Sequence, residues 1–133
     1  MACTIAVTGR SGSGKTSALE CAIRELRDRG VRVLAVKYTH HGVDVRGKDT
    51  WRLNEAGAVA VLAIGPGEVA LFSRQLGLDD VLEALSSVYD AIVVEGFRTA
   101  AKKYEVVVDV EELGPERACR EVASRVLKCL GRA

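Results

Sequence analysis

Gly9 to Thr16, GRSGSGKT, fits the pattern G-x-x-x-x-G-K-[ST] and constrains the fold more than any other stretch of the chain. Its context matters as much as the string. Thr4 to Thr8 (TIAVT) is a β-branched apolar run suited to a strand buried on both faces. After the loop, Leu19, Ala22, Ile23 and Leu26 recur at helical spacing from Lys15 to Arg29, and Gly30 supplies a stop. Between strand and helix, glycines at 9, 12 and 14 let the backbone curl so that successive N–H groups point at a polyanion, and the helix N-terminus favours the same anion. The motif predicts a nucleoside triphosphate cradled by Gly9, Gly12, Ser13 and Gly14. Lys15 reaches the β and γ phosphates, Thr16 carries Mg²⁺, and Ser17 is placed for the α phosphate.

The rest of the chain reads as an α/β domain. Val31 to Val36 is a second strand, making a βαβ unit and a sheet that is at least partly parallel. Asp49 is placed to cap a short helix through Ala56, closed by Gly57. Val59 to Ile64 and Glu68 to Phe72 flank Gly65-Pro66-Gly67 and read as an antiparallel hairpin. A helix starts at Asp79 or Asp80. Ala91 to Val94 is an apolar strand ending in Glu95-Gly96, and Tyr104 to Val110 reads as a last strand. Gly114-Pro115 opens a C-terminal helix in which Ala118, Val122, Val126 and Leu130 repeat every fourth residue. The expected fold is a P-loop NTPase-like three-layer α/β sandwich, with a mostly parallel sheet and an antiparallel hairpin, in a single domain over 1–133.

Composition narrows the partners. Nineteen basic and 18 acidic residues leave a net charge of +1, which gives no global field for nucleic acid or an anionic membrane. No apolar run approaches the ~20 residues of a bilayer span. A cytoplasmic protein is expected, and Cys3, Cys21, Cys119 and Cys129, isolated from one another in sequence, are expected as buried free thiols.

Glu95, at the end of an apolar strand, is the candidate carboxylate for the magnesium shell or for orienting a water. Lys37 to Asp49 gathers Lys37, His40, His41, Asp44 and Asp49 on a segment that βαβ topology carries toward the phosphate loop. Lys37 is a candidate phosphate contact. Asp44 and Asp49 are candidates for magnesium, a sugar hydroxyl or a base edge, or are solvated loop charges. Adjacent histidines on an extended segment face opposite ways, so His40 and His41 do not share a metal; each is a substrate contact or a structural histidine. Trp51 reads as packing, with stacking on a base or pterin as the alternative.

Taken in order, the P-loop, VKYTHHGVDVRGKDTWRLNEAGA and IVVEGFR closely resemble the MobB family of molybdopterin-guanine dinucleotide biosynthesis adapter proteins, over roughly residues 4 to 110. Family members carry SGSGKTT, a VKHTHH-like segment, a GKDS-like segment with an AGA turn, and VEGF followed by Lys. Here Tyr38 stands for a histidine, Ser17 for threonine, Thr50 for serine and Arg98 for lysine. The resemblance implies GTP binding with weak hydrolysis, a homodimer, and support for a guanylyltransferase that joins GMP to molybdopterin. It also implies contact with other molybdenum-cofactor enzymes and with the pterin itself. From the residues alone the nucleotide base stays open, since no NKxD-type motif is present, and a small-molecule kinase using the bound triphosphate is the alternative.

Overall fold

The computed structural model describes residues 2–39, 41–96 and 106–132. Its elements run β1 (Cys3–Thr8), α1 (Lys15–Asp28), β2 (Val33–Lys37), α2 (Asp49–Glu55), β3 (Ala60–Gly65), β4 (Glu68–Ser73), α3 (Leu78–Leu85), β5 (Ala91–Glu95), β6 (Val107–Asp109), α4 (Val110–Leu113) and α5 (Pro115–Cys129). They form two compact units, Thr39–Glu83 and the remainder, Met1–Tyr38 with Ala84–Ala133.

The larger unit is a parallel four-stranded sheet in the order β2-β5-β1-β6. All of β5 is buried, as expected of an apolar run with neighbours on both sides. β1 and β2 are therefore not adjacent: β5 pairs with both, through Val7↔Glu95 and Lys37↔Glu95. On one face Ile5, Val7, Ala91, Val93 and Val108 pack against Leu19, Ala22 and Leu26 of α1 and Ala118, Val122 and Val126 of α5. Pro115 opens α5 at the position where its missing N–H costs nothing.

Several boundaries move for local reasons. β2 begins at Val33 because the Val31 N–H is used in the helix end, donating to Leu26 O at 3.0 Å. Asp49 is the first residue of α2 and not its cap; Lys48 holds the cap position, without a side-chain bond. Val110 belongs to α4, since Asp109 ends β6 by accepting from the Glu111 N–H at 3.0 Å. Tyr104 and Glu105, expected in the last strand, lie outside the described residues.

The expected α/β class, mostly parallel with an antiparallel hairpin, is what the chain shows. The hairpin β3–β4, however, forms its own two-stranded sheet, with register Gly65↔Glu68. Its turn places Pro66 before Gly67, whose φ of +75° is the left-handed conformation a type II turn requires there. One face, with Val61 and Phe72, lies toward α2, whereas Leu62, Ile64, Val69 and Leu71 on the other are 56%, 75%, 68% and 58% exposed.

The expectation of free thiols is overturned. Cys3 is bonded to Cys129 and Cys21 to Cys119, so both bridges tie α5, one to the start of β1 and one to α1. The cysteines looked isolated because the bridges span 126 and 98 residues of sequence, and only the packing of α5 brings them together. Spans of that length restrict the unfolded chain strongly, by about 4–5 kcal/mol for a single bridge in the chain-entropy treatment. Reduction with a phosphine is therefore expected to lower the melting temperature by about 10 °C or more. Thiol counting by mass spectrometry after alkylation should find no alkylated cysteine before reduction and all four after it; four reactive thiols in the untreated protein would contradict the pairing.

Candidate functional site: a phosphate loop at the sheet edge

The parallel sheet delivers Thr8, Lys37, Glu95 and Asp109 to one edge, its C-terminal one. That is where open parallel sheets bind ligands. The glycine loop leaves β1 at this edge and enters α1 through Gly14, whose φ is +96°. No side chain caps α1 and no acidic residue stands in its first turn, so its leading N–H groups and partial positive charge remain available to an anion.

Two glycines are needed for space as well as for φ. A Cβ on Gly9 would lie 2.6 Å from Ser13 Oγ, and one on Gly14 would lie 2.5 Å from Cγ of Pro115. Gly12, at φ +80°, has nothing within 4 Å of such a Cβ and is required for conformation alone. Inside the loop the Ser13 N–H donates to Arg10 O at 3.1 Å, and Lys15 Nζ folds back to donate to Gly9 O at 2.5 Å. The Ser13 hydroxyl is buried with no hydrogen-bond partner. A buried hydroxyl without a partner costs free energy that a phosphate oxygen would recover, so the loop fits the group its pattern implies. Thr16 and Ser17 are exposed at the start of α1, where their hydroxyls are accessible.

Glu95 is buried at the end of β5, directly between β1 and β2, and its backbone oxygen accepts from the Tyr38 N–H at 2.9 Å. Lys37, its register partner on β2, is exposed. The loop segment behaves differently. His41, Asp44 and Asp49 belong to the smaller unit, and His40 lies outside the described residues. His41 is exposed, with its backbone N–H on Thr39 Oγ1 at 3.1 Å. Asp49 is exposed at the start of α2. Asp44 is engaged in its own unit: Oδ1 accepts from the Val45 N–H at 2.9 Å and from Thr50 Oγ1 at 2.7 Å. Trp51 lies within reach of two cations, with the guanidinium carbons of Arg46 and Arg74 each 5.9 Å from a ring centroid.

Sequence reasoning missed an anchor on the loop. Glu111 of α4 accepts from both the backbone N–H and the side chain of Arg10, the latter at 3.0 Å from Nε, and Asp109 caps the same short helix. The signal was Asp109 two residues ahead of Glu111-Glu112, a helix-start pattern whose first two residues are expected above as the end of a strand.

A strand, glycine loop and helix at the C-terminal edge of a parallel sheet define a P-loop NTPase-like nucleotide-binding domain. The chain belongs to the MobB family: the model for "Molybdopterin guanine dinucleotide synthesis protein B" matches residues 4–127, which carries the likeness into α5. A molybdopterin-guanine dinucleotide biosynthesis adapter protein of Haemophilus influenzae is 38% identical over 100 residues, 71% of this chain and 56% of the relative. Its Escherichia coli counterpart is 35% identical over 102 residues, 71% of this chain and 58% of the relative. The chain thus spans little more than half the length of these curated relatives. A crystal structure of molybdopterin-guanine biosynthesis protein B shares the fold with a TM-score of 0.67 at 24% identity, covering 96% of this chain and 99% of that one.

The two kinds of glycine requirement separate by mutation. Gly14→Ala, which combines positive φ with a clash, is expected to destabilise the protein by about 2–4 kcal/mol, and Gly12→Ala, which meets open space, by about 1–2 kcal/mol. Urea titration of the two variants measures the difference; equal losses would show that Pro115 yields freely.

Proposed function

We propose that this protein is a GTP-binding adapter in molybdenum-cofactor assembly, supporting the guanylyltransferase that attaches GMP to molybdopterin. The observation that carries the nucleotide part is the phosphate loop with its unpartnered Ser13 hydroxyl. The pathway part rests on the family and on relatives that bear the adapter name. In this reading Lys15 leaves Gly9 O for the β and γ phosphates, while Gly9, Gly12, Ser13, Gly14 and Ser17 line the phosphate chain. Thr16 and Glu95 are the residues that would hold a magnesium ion, which would neutralise charge on the phosphate oxygens when bound. Glu95, buried at the C-terminal end of β5, is the group placed to orient a water; that hydrolysis is slow and secondary to binding rests on the family resemblance. Lys37, His40, His41, Asp44 and Asp49 are assigned to the second ligand or to the partner enzyme. The compartment assigned is the cytoplasm, on the family alone, and the two disulfides require that it leave them oxidised; among the described residues no helix is long and apolar enough to cross a membrane.

Lys15→Ala is expected to weaken Mg·GTP binding at least tenfold in calorimetry, through loss of a charge-assisted contact to phosphate. Unchanged affinity would remove the loop from the site. The adapter role is tested by co-sedimentation with a molybdopterin guanylyltransferase in the presence of GTP; equal binding of ATP and GTP with no association would overturn it.

A homodimer is part of the proposal, and the hairpin supports it. Leu62, Ile64, Val69 and Leu71 form an uncovered apolar face on a two-stranded sheet whose strands pair only with each other among the described residues. Such a sheet gains stability from further strands or a covering surface, which a second copy supplies. Light scattering is expected to give twice the chain mass, and Ile64→Asp with Val69→Asp should reduce it to one; a monomeric parent protein would refute the assignment.

A further inference from the structure

Both disulfides fasten α5, but at opposite ends of it. Cys119 stands one turn, about 6 Å, beyond Pro115, and its partner Cys21 lies nearly two turns into α1. Cys129 is the last residue of α5, about 21 Å from Pro115 along the axis, and its partner Cys3 opens β1 at the sheet edge away from the phosphate loop. One bridge is therefore near the loop and the other remote from it.

The near end is where the loop is clasped. The Pro115 ring lies against Gly14, and Glu111, on the short helix that runs into α5 through Gly114, holds the backbone N–H and the side chain of Arg10. Both contacts move with the first turn of α5. Noncovalent attachment is thin at that end: the buried residue in the first turn of each helix is an alanine, Ala18 in α1 and Ala118 in α5, whereas Leu26, Val126 and Leu127 lie toward the far ends. Alanine buries little apolar area, so the Cys21–Cys119 bridge carries a larger share of the hold there. Breaking it leaves α5 packed on the sheet and tethered at Cys129, with its first turn able to shift about that tether.

The near bridge is open to a reductant from one side, since Cys21 is exposed and Cys119 is buried. The thiolate of a dithiol attacks Cys21 Sγ, the S–S bond breaks, and Cys119 leaves as a thiolate that takes up a proton. The second thiol of the reductant then displaces Cys21, which is protonated in turn, and the dithiol ends as its own disulfide. Two electrons pass from the dithiol to the bridge.

We propose that Cys21–Cys119 is a thiol-reducible clasp that keeps the phosphate loop in its anion-binding shape, so that a dithiol reductant converts the loop from preformed to loose. In the oxidised chain the loop is held before a phosphate arrives, and preorganisation of that kind is what gives a nest its affinity. The ligand is taken from the phosphate-loop reading above; the clasp itself, which lies wholly within the larger unit, is tested without one.

The amides of Ser13 and Ala18 report the loop and its exit, because they donate to Arg10 O and Gly14 O, and the Ala118 amide, on Gly114 O, reports the start of α5. Their hydrogen exchange is followed by NMR in two full-length variants, with the amides of β5 as reference. Cys3→Ala with Cys129→Ser keeps only the near bridge, and Cys21→Ser with Cys119→Ala keeps only the remote one. In the first variant dithiothreitol is expected to speed exchange of the three reporters at least tenfold while β5 stays unchanged, and reoxidation should restore it. In the second, the reporters should exchange fast before any reductant is added. Mg·GTP affinity measured by calorimetry should fall at least fivefold when the first variant is reduced. Failure of the oxidised wild-type chain to bind Mg·GTP counts against the phosphate-loop reading, and exchange then decides the clasp alone. Should a variant not fold, the wild-type chain titrated with dithiothreitol gives the same test: reporter exchange should follow breakage of Cys21–Cys119, read by differential alkylation, and not breakage of Cys3–Cys129. Unchanged reporter exchange on reduction, an increase matched in β5, equal exchange in the two oxidised variants, or Mg·GTP binding indifferent to reduction would overturn the proposal.

Discussion

The contact between Gly14 and Pro115 organises the larger unit. Two helices begin there, α1 at Lys15 and α5 at Pro115, and the missing Cβ of one residue makes room for the ring of the other. Proline is suited to this position because it has no N–H to leave unsatisfied at the start of α5. The helix is then held along its length, by Cys119 to α1 and by Cys129 to the first residue of β1. A phosphate nest works by keeping N–H groups pointed inward before the anion arrives, and glycines alone do not keep anything in place. Rigidity has to come from the surroundings: α5 on one side of the loop, and the Arg10–Glu111 anchor on the other.

What could be read from the sequence follows the range of the interactions responsible. The phosphate loop, α1, the fully buried β5 and the Pro115 helix start were legible, because each depends on neighbours within a turn or a strand. The hairpin was legible from Gly65-Pro66-Gly67 between apolar runs. The order β2-β5-β1-β6 was not, since nothing local to Val33–Lys37 tells that β5 will insert between it and β1. The disulfides were misread for the same reason: residues 126 and 98 positions apart become neighbours only through packing. Asp109 and Val110 were absorbed into a strand because an apolar run preceded them, although Asp109 ahead of Glu111-Glu112 has the pattern of a helix start.

The hairpin shows a different limit. Alternation along AVLAIG is weak, so the run suggests a strand covered on both faces. In the chain one face has Val61 and Phe72 toward α2, and the other has nothing apolar over it among the described residues. The sequence pattern reports the apolar character of both faces and not which of them the chain itself covers. A two-stranded sheet this apolar on both sides leaves one face in water, at a cost that alternation of polar and apolar residues would have avoided.

The two units differ in the sign of what they lack. Around the phosphate loop the unspent groups are donors: the first N–H groups of α1, the Ser13 hydroxyl and the Lys15 ammonium, which settles on Gly9 O. In the Thr39–Glu83 unit they are acceptors, Asp44 Oδ2 and Asn54 Oδ1, set in a wall that also carries arginines. A donor-rich loop selects an anion and is indifferent to the base attached to it. Discrimination between bases is chemistry that the phosphate loop has no means to provide.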